Sequence, residues 1–149
     1  MSFTLLRYIP ADPHWQPTPE AAARAVSLLE TMALKADEIK SRFEDKVRFF
    51  DPGENWSGVE CYACGADASG WWGRAMDAAY AAGFRDLETP APCCGKTVSL
   101  NELRYGLPAA FGRFALEVRN PETADPTEEQ DRAVGEYVGM PVRKVWAHY

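Results

Sequence analysis

The chain has 149 residues, with 22 acidic side chains against 16 basic ones, a net charge of −6, four cysteines, 11 glycines and 11 prolines. A chain of this length buries roughly two thirds of its unfolded surface, which predicts one domain over residues 1–149 that needs neither disulfide nor metal to close its core. The acidic balance weighs against affinity built on phosphate neutralisation, so nucleic acid is disfavoured as a partner. No stretch approaches the roughly 20 apolar residues that span a bilayer, and Met1 to Arg7 shows no charged leader, so no membrane partner and a cytoplasmic location are expected. In that compartment cysteines read as thiols or metal ligands rather than as a disulfide framework.

Phe3 to Ile9 places Phe3, Leu5 and Ile9 on one face and Leu6 and Tyr8 on the other, the pattern of a strand covered on both sides. Thr18-Pro19 supplies an N-cap and a proline at the first helical position, and Ala22, Val26, Leu29 and Ala33 recur at helical spacing, which predicts a helix over 18–34. Ile39 to Glu44 alternates with charged residues, so two strands are expected, with a turn near Asp45 and Val47 and Phe49 on the returning strand. Trp71 to Ala82 reads as a helix ended by Gly83, and Phe84 to Leu87 as a short strand. Trp71 and Trp72 lie about 100° apart on that helix, so one of them is expected near the surface.

Ser99-Leu100-Asn101-Glu102 has capping-box spacing and predicts a short helix. Phe114, Leu116 and Val118 alternate with Arg113, Ala115, Glu117 and Arg119, a strand with one wet face. Thr127-Glu128-Glu129-Gln130 opens another helix with Ala133, Val134, Tyr137 and Val138 on its apolar side, and Val142 to Tyr149 alternates as a last strand. Strands and helices interleave without regular alternating units, so the expected class is α+β with a mainly antiparallel sheet flanked by helices.

All four cysteines fall in two clusters, Cys61-Tyr62-Ala63-Cys64-Gly65 and Cys93-Cys94-Gly95. A CxxC turn aims two thiolates at one place, and a second turn can complete the sulfur tetrahedron that zinc accepts. Gly65 and Gly95 stand where positive φ lets backbone amides approach a sulfur. These residues resemble the knuckles of zinc ribbons, which commonly read Cys-Pro-x-Cys-Gly. In Ala91-Pro92-Cys93-Cys94-Gly95, Ala91 occupies the first cysteine place and Cys93 the variable one.

The resemblance covers about residues 59–97. It implies zinc-ribbon-like knuckles within the α+β fold and carries Cys61, Cys64 and Cys94 onto ligand positions. The fourth ligand is open between Cys93, His14, His148 and a carboxylate, and the set Cys61, Cys64, Cys93 and Cys94 around a structural zinc ion is preferred. Metal-free thiols, thiol redox chemistry and catalytic zinc are the alternatives. The last two are disfavoured because five residues separate Cys64 from Gly70 at the expected helix start and neither histidine is beside a cysteine.

Other candidates are ordinary by comparison. Asp51, Glu54 and Glu60 are expected in a solvated turn, and His148 as a half-buried, hydrogen-bonded side chain. The acids from Glu122 to Asp131 suit the positive end of a helix dipole, or alternatively a patch that steers a cationic protein. No HExxH, GxSxG, phosphate loop or nucleotide fingerprint is present. The expected role is therefore a small acidic protein-binding module and not an enzyme, similar in size and charge to bacterial antitoxin or immunity proteins that block a basic toxin. The alternatives are a thiol-redox or metal-dependent enzyme using the cysteines, and a nucleic-acid-binding zinc ribbon.

Overall fold

A computed structural model describes residues 2–122 and 125–149. Its elements in chain order are β1 (Thr4–Pro10), α1 (Pro19–Glu30), β2 (Glu38–Phe50), β3 (Val59–Glu60), α2 (Ser69–Ala81), β4 (Glu88–Pro90), β5 (Thr97–Ser99), β6 (Arg104–Tyr105), β7 (Ala110–Arg119), α3 (Glu128–Val138) and β8 (Val142–His148). Four strands form one antiparallel sheet in the order β2-β7-β1-β8, and the pairs β3-β6 and β4-β5 stand apart from it. This is an α+β arrangement.

Local chemistry starts the helices as the sequence predicts. Thr18 Oγ1 accepts from the Ala21 amide at 3.1 Å, with Pro19 at the first helical position. Thr127 and Gln130 form the reciprocal capping box of α3, at 3.2 and 2.9 Å. Ala22, Ala25 and Leu29 of α1, and Val134 and Val138 of α3, are buried on Leu6, Tyr8, Phe114, Leu116 and Val118 of the sheet. Gly135 lets α3 approach the chain that follows it, because a Cβ there would lie 2.9 Å from the Met140 carbonyl oxygen.

A second body is built by β3 to β6 and α2. Val59, Cys61, Ala68, Leu87, Ala91, Val98 and Leu100 pack together and onto Val47 and Phe111, near the bend of β2 and the start of β7. Asn101 ties this body to the sheet: its Oδ1 accepts from the Phe111 amide at 3.0 Å, and its Nδ2 donates to the Ala11 carbonyl at 3.3 Å.

Several elements differ from the sequence reading. The expected pair of strands around Asp45 is one strand of 13 residues. Its register against β7 shifts between Phe43, opposite Phe114, and Arg48, opposite Gly112, so Glu44 to Val47 bulge out opposite Arg113. Gln16 Nε2 donates to the carbonyls of Glu44 and Arg113, at 2.8 and 3.0 Å, and so satisfies backbone groups that the bulge leaves without ladder partners. The first helix stops at Glu30; Ala33 and Lys35 have φ of +54° and +52°, and Leu34, not Ala33, enters the core.

Phe84 to Leu87 is not a strand, since Phe84 has φ +55° and its amide returns to the Ala79 carbonyl at 2.8 Å, closing the end of α2. The strand comes later, at β4. Ser99 to Glu102 is a turn: Ser99 Oγ accepts from the Asn101 amide, and the chain then enters β6 instead of propagating a helix. The expected wet face of β7 is covered, with only Arg113 and Arg119 partly exposed, because Arg7 meets Glu117 at 2.8 Å beneath the surface. On α3, Gly135 is buried where Tyr137 was expected, and Tyr137 is 43% exposed.

Candidate metal centre

The two cysteine turns have the same backbone. Cys61 donates to the Ala66 carbonyl at 2.9 Å and its own carbonyl accepts from the Gly65 amide at 2.8 Å. Thirty residues later, Ala91 donates to the Lys96 carbonyl at 2.8 Å and accepts from the Gly95 amide at 2.7 Å. Gly65 and Gly95 have φ of +77° and +75°, a region that side chains other than glycine enter at a cost. Each turn closes a short ladder: Glu60 bridges Asp67 around the first, and β4 pairs with β5 around the second. Ala91 therefore sits where Cys61 sits, fully buried.

The four Sγ atoms of Cys61, Cys64, Cys93 and Cys94 all lie within 4.8 Å of one another. A sulfur tetrahedron around an ion with bonds of about 2.3 Å has edges of about 3.8 Å, so the spread matches a four-sulfur site. Cys93 Sγ and Cys64 Sγ are 3.4 Å apart, so the residue at the variable place of the second turn joins the group and supplies the sulfur that Ala91 lacks. Four close cysteines of this kind could hold a metal ion. Cys61 is buried and Cys64 exposed, so the cluster lies at the margin of the second body.

Electrostatics inside the cluster favour shared charge. Burial opposes ionisation of Cys61, but the amides of Ala63 and Cys64 and the neighbouring thiols outweigh it and bring its thiol down to about 7. Cys93 is pushed up to about 12, first by its hydrogen bond to Cys64, then by burial and by Cys61. Cys61 and Cys93 are thus driven in opposite directions by the same cluster, and a bound cation would displace thiol protons there.

The other candidate ligands lie elsewhere. The His14 amide donates to Asp12 Oδ1 at 2.9 Å. His148 Nδ1 is 3.2 Å from Thr4 Oγ1 and its Nε2 is 3.9 Å from Glu54, with 40% of the side chain exposed. Among the described residues no histidine or carboxylate joins the cysteine group. Asp51 accepts from the Gly53 amide, as a turn residue does. Asp125 and Asp131 both hold Lys144, at 2.9 and 2.8 Å, so part of the acidic segment is internally paired; Thr123 and Ala124 of that segment lie outside the described residues.

Both tryptophans at the start of α2 are half-buried, contrary to the expectation that one lies near the surface. The Trp72 ring centroid is 4.8 Å from that of Trp56, and Trp72 Nε1 donates to Tyr105 Oη at 3.2 Å. The most exposed aromatic on this body is Tyr80, at 74%. Two residues escaped the sequence reading. Tyr62 Oη accepts from the Ser99 amide at 2.9 Å and links the first knuckle to β5, and Asn101 anchors the body to the sheet. The Ser99 spacing does signal local backbone capping, which closes a turn here and not a helix.

No protein-family model, no curated protein and no solved structure matches this chain. Along its described length no helix is long and apolar enough to cross a membrane.

Proposed function

We propose that the chain is a protein-binding module whose second body is held by a structural zinc ion on Cys61, Cys64, Cys93 and Cys94. The observation that carries the zinc reading is the convergence of four sulfurs within 4.8 Å from two turns of like backbone. A closed set of four thiolates is the donor chemistry of structural zinc, whereas catalytic sites keep a position open. Four residues, from Gly65 to Ala68, separate Cys64 from α2, so no thiol sits at a helix start where the dipole would activate it for redox exchange.

The binding reading rests on surface chemistry. Tyr80 stands at the edge of a cavity of about 700 Å³ between the bulge of β2 and the end of α2, lined by Glu44, Asp45, Lys46 and Asp77 among others. An exposed aromatic beside mixed charges is the composition of a contact anchor, and the net charge of −6 suits a basic partner, as in immunity proteins that block a basic toxin. Native mass spectrometry of protein recovered gently from its own cells tests both halves. The expected spectrum carries the mass of one zinc ion and of a protein partner, and the Tyr80→Ala variant retains zinc but loses the partner. A bare chain with freely alkylated thiols would overturn the zinc reading; a zinc-loaded chain without partner would overturn the binding one.

A further inference from the structure

The face of the sheet turned away from α1 and α3 carries a pocket of about 200 Å³ over β1, the start of β2 and the end of β7. Its charged lining is Arg7, Lys40, Arg42 and Arg119 against Glu38 and Glu117. With Glu38 3.8 Å from Lys40 and Glu44 as a third carboxylate on Arg42, four cations still leave an excess of positive charge in a protein whose total is −6. We propose that this pocket binds a small phosphate-bearing anion.

The guanidinium groups are built in and only partly used. Arg7 has a side chain 8% exposed, with Nε on Glu117 at 2.8 Å and Nη1 on Tyr149 Oη at 2.9 Å; its Nη2 has no acceptor among the described residues. Arg42 commits Nε to Glu44 and reaches Glu117 through Nη1 only at 3.5 Å, so one carboxylate is shared by two guanidinium groups. Arg119 has no carboxylate within ion-pair distance among the described residues, and its guanidinium carbon is held 4.2 Å from the centre of the Phe3 ring. The ring fixes the cation without neutralising it.

A phosphoryl group fits what is left over. It carries about −1.5 to −2 at neutral pH and three strong acceptor oxygens, which match the surplus charge of the lining and the free N–H groups of forked guanidinium donors. The cavity is below the roughly 300 Å³ at which drug-sized ligand pockets begin, so the ligand is inorganic phosphate or a small phosphate monoester and not a nucleotide. The pocket lies outside the cysteine cluster, and this inference stands independently of the zinc reading.

Nuclear magnetic resonance titration of the whole chain with inorganic phosphate, with chloride at matched ionic strength as reference, tests it. Saturable shifts are expected at Arg7 Nε–H and at the amides of Leu5, Lys40 and Glu117, with affinity about tenfold weaker in Arg119→Ala, the loss expected for one charge-assisted hydrogen bond. Lys40→Ala, at an exposed position, is the second variant and weakens binding through charge alone. Tighter binding of glycerol phosphate than of inorganic phosphate would assign the ligand to the monoesters, and equal binding to the free ion. Shifts that chloride reproduces, or phosphate affinity unchanged in both folded variants, would overturn the proposal.

Discussion

The two knuckles share a backbone and differ in where they carry sulfur. In the first, Cys61 and Cys64 occupy the first and fourth places; in the second, Cys94 keeps the fourth place, Ala91 takes the first, and Cys93 stands in between. The hydrogen bonds at the first, fifth and sixth places are nevertheless the same in both turns. The turn is therefore maintained by its own amides, by its glycine and by the burial of its first residue, whether that residue is a cysteine or an alanine. The sulfur stands two places further along the second turn and still reaches the cluster, with Cys93 Sγ 3.4 Å from Cys64 Sγ in the opposite knuckle.

The largest effect that would break this comparison is removal of the proposed zinc ion. A structural zinc contributes about 10–16 kcal/mol of apparent binding free energy in small zinc domains. Chelation, or Cys61→Ser, is expected to abolish hydrogen-exchange protection at the amides of Gly65, Ala91 and Gly95, while Leu6, Leu116 and Val118 in the helix-covered sheet stay protected. Equal loss in both regions would show that the two bodies unfold as one unit.

A smaller effect sharpens it. Cys93→Ser should weaken metal affinity and leave the turn backbone intact, and Ala91→Cys in the same chain should restore affinity by returning sulfur to the first place. Titration against a colorimetric zinc chelator reads both steps. If Cys93→Ser binds metal as tightly as the parent, the fourth sulfur is not a ligand and the cluster is a three-sulfur site.

The sequence carried some of this plainly. The Thr18-Pro19 cap, the Thr127–Gln130 box and the paired cysteine turns are local chemistry, and each stands in the structure at the residues that announce it. What escaped is non-local. Glu117 looks like the wet half of an alternating strand because its partner Arg7 is 110 residues away, and a buried carboxylate reads as a solvated one until the sheet pairs it. The β2 bulge looked like a turn because Asp45 and its neighbours are turn-forming, whereas the chain keeps its direction and only the pairing register slips. Gln16, which satisfies the bulge, lies 28 residues from Glu44 and 97 from Arg113. Spacing along a chain does not say which sulfur another turn will meet, so the meeting of Cys93 with Cys64 is visible only in the fold.

The smallest effect is also the most direct test of the equivalence of the two turns. Gly65 and Gly95 have nearly the same positive φ, and a Cβ added at either meets no atom within 4 Å. Substitution by alanine therefore introduces backbone strain and no clash, at about 1–2 kcal/mol for a left-handed residue with a side chain. Gly65→Ala and Gly95→Ala should lower thermal stability by the same amount, and Asn at either place should cost less because its side chain tolerates that region. Differential scanning calorimetry of the four variants checks this. A markedly larger loss at Gly95 than at Gly65 would mean that the second turn, with an alanine at its first place, leans on its glycine more heavily, and the likeness of the two knuckles would then be one of shape and not of stability.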